Sequence, residues 1–225
     1  MKRKTFELLE NHMLSCMEDS AHDPLHVRRV LNLALKIAAG ETGVNLDLLI
    51  TSCLLHDIGR AAQNENPSLC HAEVGAAMAA DFLHSQGFSE DFCQRVFHCI
   101  STHRFRGDNP PQSLEAKILF DADKLDVTGA MGIARTFLFQ GLAGEQIYHI
   151  DPTGAIAEGG DIPPNFIDEY NFKLSNLYSK FYTKYAKDIA AKRQNTAVAF
   201  YNGLVDEITE DHSSGRELLE SLFEE

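Results

Sequence analysis

The hydrophobic residues of this chain recur at helical spacing along most of its length. Phe6, Leu9, Met13 and Met17 mark one face of an amphipathic helix over about residues 4–18. The same periodicity predicts further helices over about 24–39, 46–57, 70–85, 89–103, 113–126, 133–139, 166–183 and 186–210. No stretch has the two-residue alternation that is typical of a half-buried strand. The chain is therefore predicted to be all-α.

Two polar stretches and the C-terminus interrupt this pattern. Residues 60–69 have the composition of a loop, which we interpret as a lid because it directly follows a candidate site. Residues 140–165 are dense in glycine, proline and aspartate and form the longest predicted irregular segment. The acidic end of the chain contains one short apolar helix around Leu218, Leu219 and Leu222, whose packing the sequence leaves open.

The candidate site begins at a His-Asp pair. An apolar run over residues 48–55 leads to His56 and Asp57 at the end of a helix that is predicted to be buried. Burying an imidazole beside a carboxylate is costly unless their lost hydration is compensated, and a divalent cation does this well. Nitrogen and oxygen donors of this kind bind Mn, Fe, Zn or Mg. The pair is therefore a candidate metal site.

The chain has a second His-Asp pair, at His22 and Asp23, directly before Pro24. Aspartate is a favoured N-cap residue, and proline is favoured at the first helical position. We therefore interpret this second pair as the start of a helix and Asp23 as its cap.

Other polar residues fall on the apolar faces of predicted helices. His26 lies on the inward stripe of its helix, and Asp123 follows an apolar run at 118–120. The whole candidate set is His26, His56, Asp57, His71, His103 (or His98 in its place) and Asp123. Two imidazoles and two carboxylates leave positions on an octahedral ion for water and substrate oxygens. The absence of a cysteine ligand argues against a structural zinc site.

Composition narrows the partners. The formal net charge of -13 argues against a nucleic acid polymer or an anionic membrane as the main partner. The five cysteines include no Cys-x-x-Cys pair and mostly fall in apolar helical patterns, so we expect reduced thiols. No apolar run approaches membrane-spanning length. We expect a cytoplasmic protein that handles phosphate only in a locally positive pocket or through a metal.

The order of the candidate residues resembles a known signature. His26, then His56 and Asp57, then Asp123 resemble the H…HD…D pattern of the HD-domain metal-dependent phosphohydrolases. Residues 23–30 are similar to the D-x-x-H-x-x-R-V of that family, and Gly59 completes its H-D-I-G.

The chain also resembles a smaller group within that family. Residues 120–135 resemble the small bacterial HD hydrolases, some of which are pyrophosphatases that act on nucleoside triphosphates. The resemblance implies an all-α HD-domain helical bundle in a single domain over 1–225. Its signature core spans about 20–140, and a C-terminal helical extension spans about 141–225.

The resemblance also implies roles for the site residues. One divalent ion, with Mn, Mg or Fe ahead of Zn, Ni or Co, would be bound by His26, His56, Asp57 and Asp123. As a ligand of the ion, Asp57 would take part in catalysis. His71 and His103 would line the pocket as proton shuttles or as hydrogen-bond donors to phosphate. The resemblance implies a small phosphate substrate, a nucleotide. The cations that would balance its charge are Arg29, Arg60, Arg104 and Lys124.

A rival arrangement stays open. HD-fold proteins with two metals place additional histidine ligands between the HD pair and the last aspartate, where His71 and His98 or His103 fall. Such proteins include cyclic-nucleotide phosphodiesterases and di-iron oxygenases. The sequence leaves open the substrate, the number of ions and whether the chain forms a homo-oligomer. A regulatory module that binds a nucleotide without turnover is disfavoured because the four ligands are complete.

Overall fold

The computed structural model describes residues 1–17, 24–104, 109–159 and 162–223, which form helices with no strand among them. The α-helices are α1 (Arg3–Ser15), α2 (Pro24–Ala38), α3 (Leu46–Leu55), α4 (Arg60–Glu65), α5 (His71–Ser85), α6 (Glu90–Thr102), α7 (Leu114–Leu125), α8 (Gly129–Ala143), α9 (Phe166–Glu169) and α10 (Lys184–Glu220). Only two isolated bridges, Gln146 to Asn165 and Ile150 to Ile156, pair extended backbone in these residues. The predicted all-α class is confirmed.

Side-chain caps set the beginnings of several helices. Asn45, Ser89 and Ser113 each accept a hydrogen bond from the backbone N–H three residues further on. Such caps satisfy a backbone donor that the helix itself leaves unpaired. Asp23, the predicted cap of α2, lies outside the described residues.

The chain divides into two compact units, one of residues 1–126 with 181–186 and the other of 127–180 with 187–225. The single domain over 1–225 stays a prediction. No helix among the described residues is both long enough and apolar enough to cross a membrane.

Helix α3 is the centre of the first unit. Leu48, Leu49, Cys53, Leu54 and Leu55 are at most 1% exposed. The helix contacts α1, α2, α5, α6 and α7. A helix that is apolar on all sides is stable only when other helices surround it, and each buried leucine contributes about 1.5–3 kcal/mol. The core therefore fixes the C-terminal end of α3, where the His-Asp pair follows.

Several predicted segments differ from the structure. Residues 60–65, predicted to belong to a loop, form α4. The predicted long helix over 166–183 is wrong, because α9 gives way to a π-helical turn over Tyr170–Leu174 and a short 3₁₀ turn over Leu177–Ser179. Ser175 and Asn176 donate from their side chains to the carbonyls of Asn171 and Phe172, and such bonds compete with a regular helix.

Helix α10 is longer than predicted. It runs without a break from Lys184 to Glu220, so the separate short helix predicted near its end is wrong. Leu218 and Leu219 lie in α10 and are 67% and 52% exposed. The hydroxyl of Thr183 accepts from the backbone N–H of Ala186 and caps the first turn.

Candidate metal centre

Five helices of the first unit bring the predicted site residues together. His26 comes from α2, His71 is the first residue of α5, and Asp123 lies in the last turn of α7. His56 ends α3 with Asp57 next to it, and His103 ends α6. All six side chains are buried, and none exceeds 8% exposure. His98, the alternative to His103, is exposed on α6 and takes no part.

Three of these residues, His26, His56 and Asp123, form a first set, here called the His26 triad. Their ligand atoms lie within 4.8 Å of one another. The Oδ1 atom of Asp123 is 3.3 Å from His26 Nε2 and 4.0 Å from His56 Nε2. Two ligand atoms that share an ion at about 2.1 Å are about 3–4 Å apart, so this spacing fits one divalent cation.

Asp57, His71 and His103 form a second set, here called the His71 triad, which meets the same 4.8 Å limit. The Oδ1 atom of Asp57 is 3.4 Å from His71 Nε2 and 3.7 Å from His103 Nε2. These three residues could therefore also surround a small ion or a polar ligand atom.

Asp57 connects the two triads. Its other oxygen, Oδ2, is 3.6 Å from His26 Nε2 and 3.7 Å from His56 Nε2. One carboxylate thus presents one oxygen to each set. The His26 triad together with Asp57 is the four-residue ligand set implied by the sequence resemblance.

All four imidazoles are fixed through the same ring nitrogen. Each Nδ1 lies 2.6–2.8 Å from an oxygen: His26 from Asp126, His56 from the Cys53 carbonyl, His71 from Gln63 and His103 from the Ile100 carbonyl. Because these oxygens accept, a neutral His26, His56 or His103 carries its proton on Nδ1, and its Nε2 is left with a lone pair. This is the orientation in which histidine binds metals. At His71 the Arg104 guanidinium, 3.2 Å from Nδ1, is a second donor to the same region.

Two of these Nε2 atoms, in His56 and His71, are buried without a hydrogen-bond partner within the described parts of the chain. Buried polar atoms are rarely unpaired, and an unpaired one costs roughly 1–3 kcal/mol. A bound cation or ligand would satisfy them. The donors present therefore fit a divalent metal ion.

The electrostatics around His26 favour a positive charge on that ring, whereas burial lowers the pKa of His56 in the same triad to about 4. Burial alone lowers the pKa of His26, but its hydrogen bonds to Asp123 and Asp126 outweigh burial and raise the pKa to about 9. Burial also raises the pKa of Asp123, yet Lys124 and His26 hold that pKa well below the usual range. The carboxylates are thus ionised, and a divalent cation competes with a proton for His26 Nε2.

Arginines lie against the His71 triad. Arg60 donates from Nε to Asp57 Oδ1 at 3.0 Å. Arg104 donates from Nη1 to Gln63 Oε1 at 3.4 Å, and the same Nη1 lies 3.2 Å from His71 Nδ1. Burial is the largest influence on the pKa of His71, and with Arg60 next in importance the pKa falls to about 2. The ring is therefore neutral, in a setting that disfavours further positive charge.

The other two predicted cations, Lys124 and Arg29, also pair with carboxylates. Lys124 donates to Asp123 Oδ2 at 2.9 Å. Arg29 donates from Nε and Nη2 to the two oxygens of Asp126, at 2.7 and 3.0 Å. These contacts give both side chains a protein partner, and their role in substrate binding stays a prediction.

Gly59 allows the corner after Asp57 to approach α5. A Cβ atom at this position would lie 2.4 Å from the His71 carbonyl oxygen and 2.5 Å from the backbone nitrogen of Gly75. Only glycine fits such a contact between backbones. This close approach holds the first turn of α5, and with it His71, next to Asp57.

Sequence reasoning missed two residues that orient the ligands, Asp126 and Gln63. Only Asp126 is signalled in the sequence, and by spacing alone. Asp126 lies three residues after Asp123, and Arg29 lies three residues after His26, so each pair shares a helix face. Gln63 gives no such signal because its partner His71 lies across a turn.

The chain matches the HD domain family over residues 25–128. It is 32% identical to the protein YpgQ of Bacillus subtilis over 195 residues, which cover 85% of this chain and 86% of YpgQ. A crystal structure of YpgQ in complex with ADP matches with a TM-score of 0.69 and 27% identity, over 90% of this chain and 97% of that one.

Two further relatives carry names that describe an activity. The structure of an HD-superfamily hydrolase from Bacillus thuringiensis matches with a TM-score of 0.69 and 30% identity, over 92% of this chain and 98% of that one. Ribonuclease Y of Chloroflexus aurantiacus is 34% identical over 97 residues, which are 43% of this chain and only 16% of that protein.

HD domains bind divalent metals, and the described residues supply His and Asp groups that could hold one. All but the last two residues of the family match lie in the first unit, and the match spans both triads, from His26 to Asp123. This chain therefore belongs to the HD-domain superfamily of metal-dependent phosphohydrolases.

Proposed function

We propose that this chain hydrolyses a small phosphate compound, a nucleotide, with one divalent ion held by His26, His56, Asp57 and Asp123. The observation that carries the proposal is the convergence of these four donors. Both imidazoles turn Nε2 toward the carboxylate oxygens, at 3.3–4.0 Å. The ion would supply an activated water and would polarise a phosphoryl oxygen.

The side chains around this set divide the remaining work. His71 and His103 present Nε2 to the far side of Asp57 and are proposed to exchange protons with the attacking water and the leaving oxygen. Arg60 and Arg104 are proposed to bind phosphate oxygens, since guanidinium groups recognise phosphate bidentately. Lys124, beside Asp123, adds a further positive charge for the substrate.

The space for the rest of the substrate is proposed to lie beside Arg104. A polar cavity of about 210 Å³ is lined by residues that include Gln63, Cys70, Glu73, Ser101 and Arg104. Gln63, which lines this cavity, is also hydrogen-bonded to His71, so the cavity lies next to the His71 triad. The complex of YpgQ with ADP supports a nucleotide as ligand, and a nucleoside triphosphate cleaved to pyrophosphate is the finer proposal.

A second candidate rests on one observation, the pair of triads that share Asp57. Two metal ions bridged by one carboxylate would suit a cyclic-nucleotide phosphodiesterase or a di-iron oxygenase. The one-ion proposal is favoured because Arg60 already binds the Asp57 oxygen that a second ion would need.

The test is a substrate screen of the full chain reconstituted with Mn²⁺, Mg²⁺ or Fe²⁺. Phosphate and pyrophosphate are measured separately with nucleoside tri-, di- and monophosphates, a cyclic nucleotide and an RNA oligomer. Pyrophosphate from a triphosphate supports the finer proposal, and phosphate from monoesters indicates a nucleotidase. Cleavage of the cyclic nucleotide or RNA alone, or turnover only with iron and oxygen, would contradict the proposal.

A further inference from the structure

Asp126 is a buried carboxylate that none of the ligand sets includes. It ends α7 and is 1% exposed. Its Oδ2 atom lies 2.7 Å from His26 Nδ1, the ring nitrogen that faces away from the His26 triad. The same carboxylate accepts two hydrogen bonds from Arg29.

His26 therefore lies between two carboxylates of one helix. Asp123 approaches Nε2 at 3.3 Å, and Asp126 approaches Nδ1 at 2.7 Å. The shorter contact is a charge-assisted hydrogen bond, so when the ring gives up its proton on Nε2 to a cation, the remaining proton stays on Nδ1. The tautomer that can bind a cation is thus chosen by Asp126.

Arg29 completes this arrangement. Its fork holds both oxygens of Asp126, which fixes the plane of the carboxylate. His26 and Arg29 are three residues apart on α2, and Asp123 and Asp126 are three residues apart on α7, so the two helix faces present matching pairs.

We propose that Asp126, held by Arg29, is a positioning residue that orients His26 and increases its affinity for the ion. This inference rests on the proposed function, because it takes His26 to be a ligand of the ion. It assigns Arg29 to the metal site and not to the substrate. Carboxylates that accept from the second nitrogen of a ligating histidine typically raise metal affinity 10–100-fold.

The test compares two buried aspartates of α7 in the full chain. Asp126→Asn keeps the shape but loses the charge and offers an amide that can donate to Nδ1. Asp121→Asn is the matched control, because Asp121 is 0% exposed and accepts from the backbone N–H groups of Tyr182 and Thr183 and from the Thr183 hydroxyl, which lie outside both triads.

Calorimetric titration with Mn²⁺ alone is expected to show binding that is about 10–100-fold weaker in Asp126→Asn than in the wild type. Asp121→Asn is expected to unfold at a lower temperature and to bind Mn²⁺ as the wild type does. Equal affinities in wild type and Asp126→Asn would overturn the inference. Should Asp126→Asn not fold, Arg29→Lys must show a smaller loss of affinity in the same direction, and an unchanged affinity would overturn the inference equally.

A second readout needs no metal. A proton held on His26 Nδ1 by a buried carboxylate exchanges slowly and gives a downfield proton resonance, which Asp126→Asn is expected to abolish and Asp121→Asn to keep. A wild type that shows this resonance but binds no Mn²⁺ would contradict the proposed function and keep the orientation of His26. A wild type that binds Mn²⁺ without the resonance would contradict the inference alone.

Discussion

The two triads consist of the same kinds of residues but differ in what lies behind them. Behind His26 is the carboxylate of Asp126, at 2.7 Å. Behind His71 is the neutral amide of Gln63, with the guanidinium of Arg104 3.2 Å from the same ring nitrogen. A carboxylate favours a cation on the far side of the ring, whereas nearby guanidinium groups favour an anion. Under the proposed function, the outer contacts would distinguish the metal site from the phosphate site where the ligand types do not.

The largest expected effect comes from the residue that the triads share. Asp57→Ala removes one oxygen from each set, so we expect the variant to lose its ion and all measurable turnover. Elemental analysis after native purification is expected to find close to one ion per wild-type chain and none in Asp57→Ala. The ion-free variant should be less stable than ion-free wild type, because Asp57 accepts from Arg60. Burial raises the pKa of Asp57, but His56 and Arg60 outweigh burial and hold that pKa well below its usual range. Only the wild type should gain stability from added metal.

The control for this variant is the other His-Asp pair. Asp23→Ala is expected to cost about 1 kcal/mol of stability through loss of a helix cap and to keep its metal. Two ions per wild-type chain, both lost in His71→Ala, would show that the triads hold a dinuclear centre. Metal loss in Asp23→Ala but not in Asp57→Ala would show that the site has been assigned to the wrong His-Asp pair.

The sequence could predict the members of the site because each lies on an otherwise apolar helix face. His26, His56, Asp57 and Asp123 all interrupt such faces, and all are buried together in the structure. The outer contacts could not be predicted in the same way. Asp121, Asp123 and Asp126 stand within one turn and a half. Only tertiary contacts show that Asp121 accepts from the backbone before α10, whereas Asp123 faces His26 Nε2 and Asp126 faces His26 Nδ1.

The same limit explains the errors in the fold. The apolar pattern predicts α1 to α7 apart from α4, because each packs apolar side chains into the core, on one face in most of these helices and all round in α3. It fails over 166–183, where side chains such as Ser175 and Asn176 bond to the backbone and replace regular turns. It also fails for α4, a helix of six residues without a buried side chain. Local hydrogen bonds, and not the apolar pattern, decide these segments.

A smaller effect is expected from a change of Arg60, whose positive charge lies on the His71 side of Asp57. Arg60→Gln removes the guanidinium from Asp57 Oδ1 and, under the proposal, from the substrate phosphate. A hydrogen bond to a charged group contributes about 1.5–3 kcal/mol, so we expect KM to rise by about 10-fold or more, with less change in kcat. Arg95→Gln is the control, because Arg95 is exposed on α6 and pairs with Asp91.

The ion count of Arg60→Gln sharpens the comparison further. We expect it to stay at one per chain, since Arg104 still lies beside His71. A second ion in this variant would mean that the His71 triad is a metal site that the guanidinium alone keeps closed.

The smallest expected effect concerns the contact that holds the two triads at their distance. In Gly59→Ala the new Cβ would overlap backbone atoms of His71 and Gly75, and overpacking of this kind costs about 1–3 kcal/mol. Relief of the overlap moves the first turn of α5, and therefore His71, away from Asp57. The ligands on α2, α3 and α7 are not displaced. We therefore expect Gly59→Ala to have a lower free energy of unfolding and reduced kcat, with Mn²⁺ affinity close to that of the wild type.

Gly203→Ala is the control, because nothing lies within 4 Å of its added Cβ and alanine favours a helix by about 1 kcal/mol. It should be as active as the wild type and slightly more stable. If Gly59→Ala instead lost its Mn²⁺ while keeping kcat at saturating metal, the His71 triad would not be the part that serves catalysis.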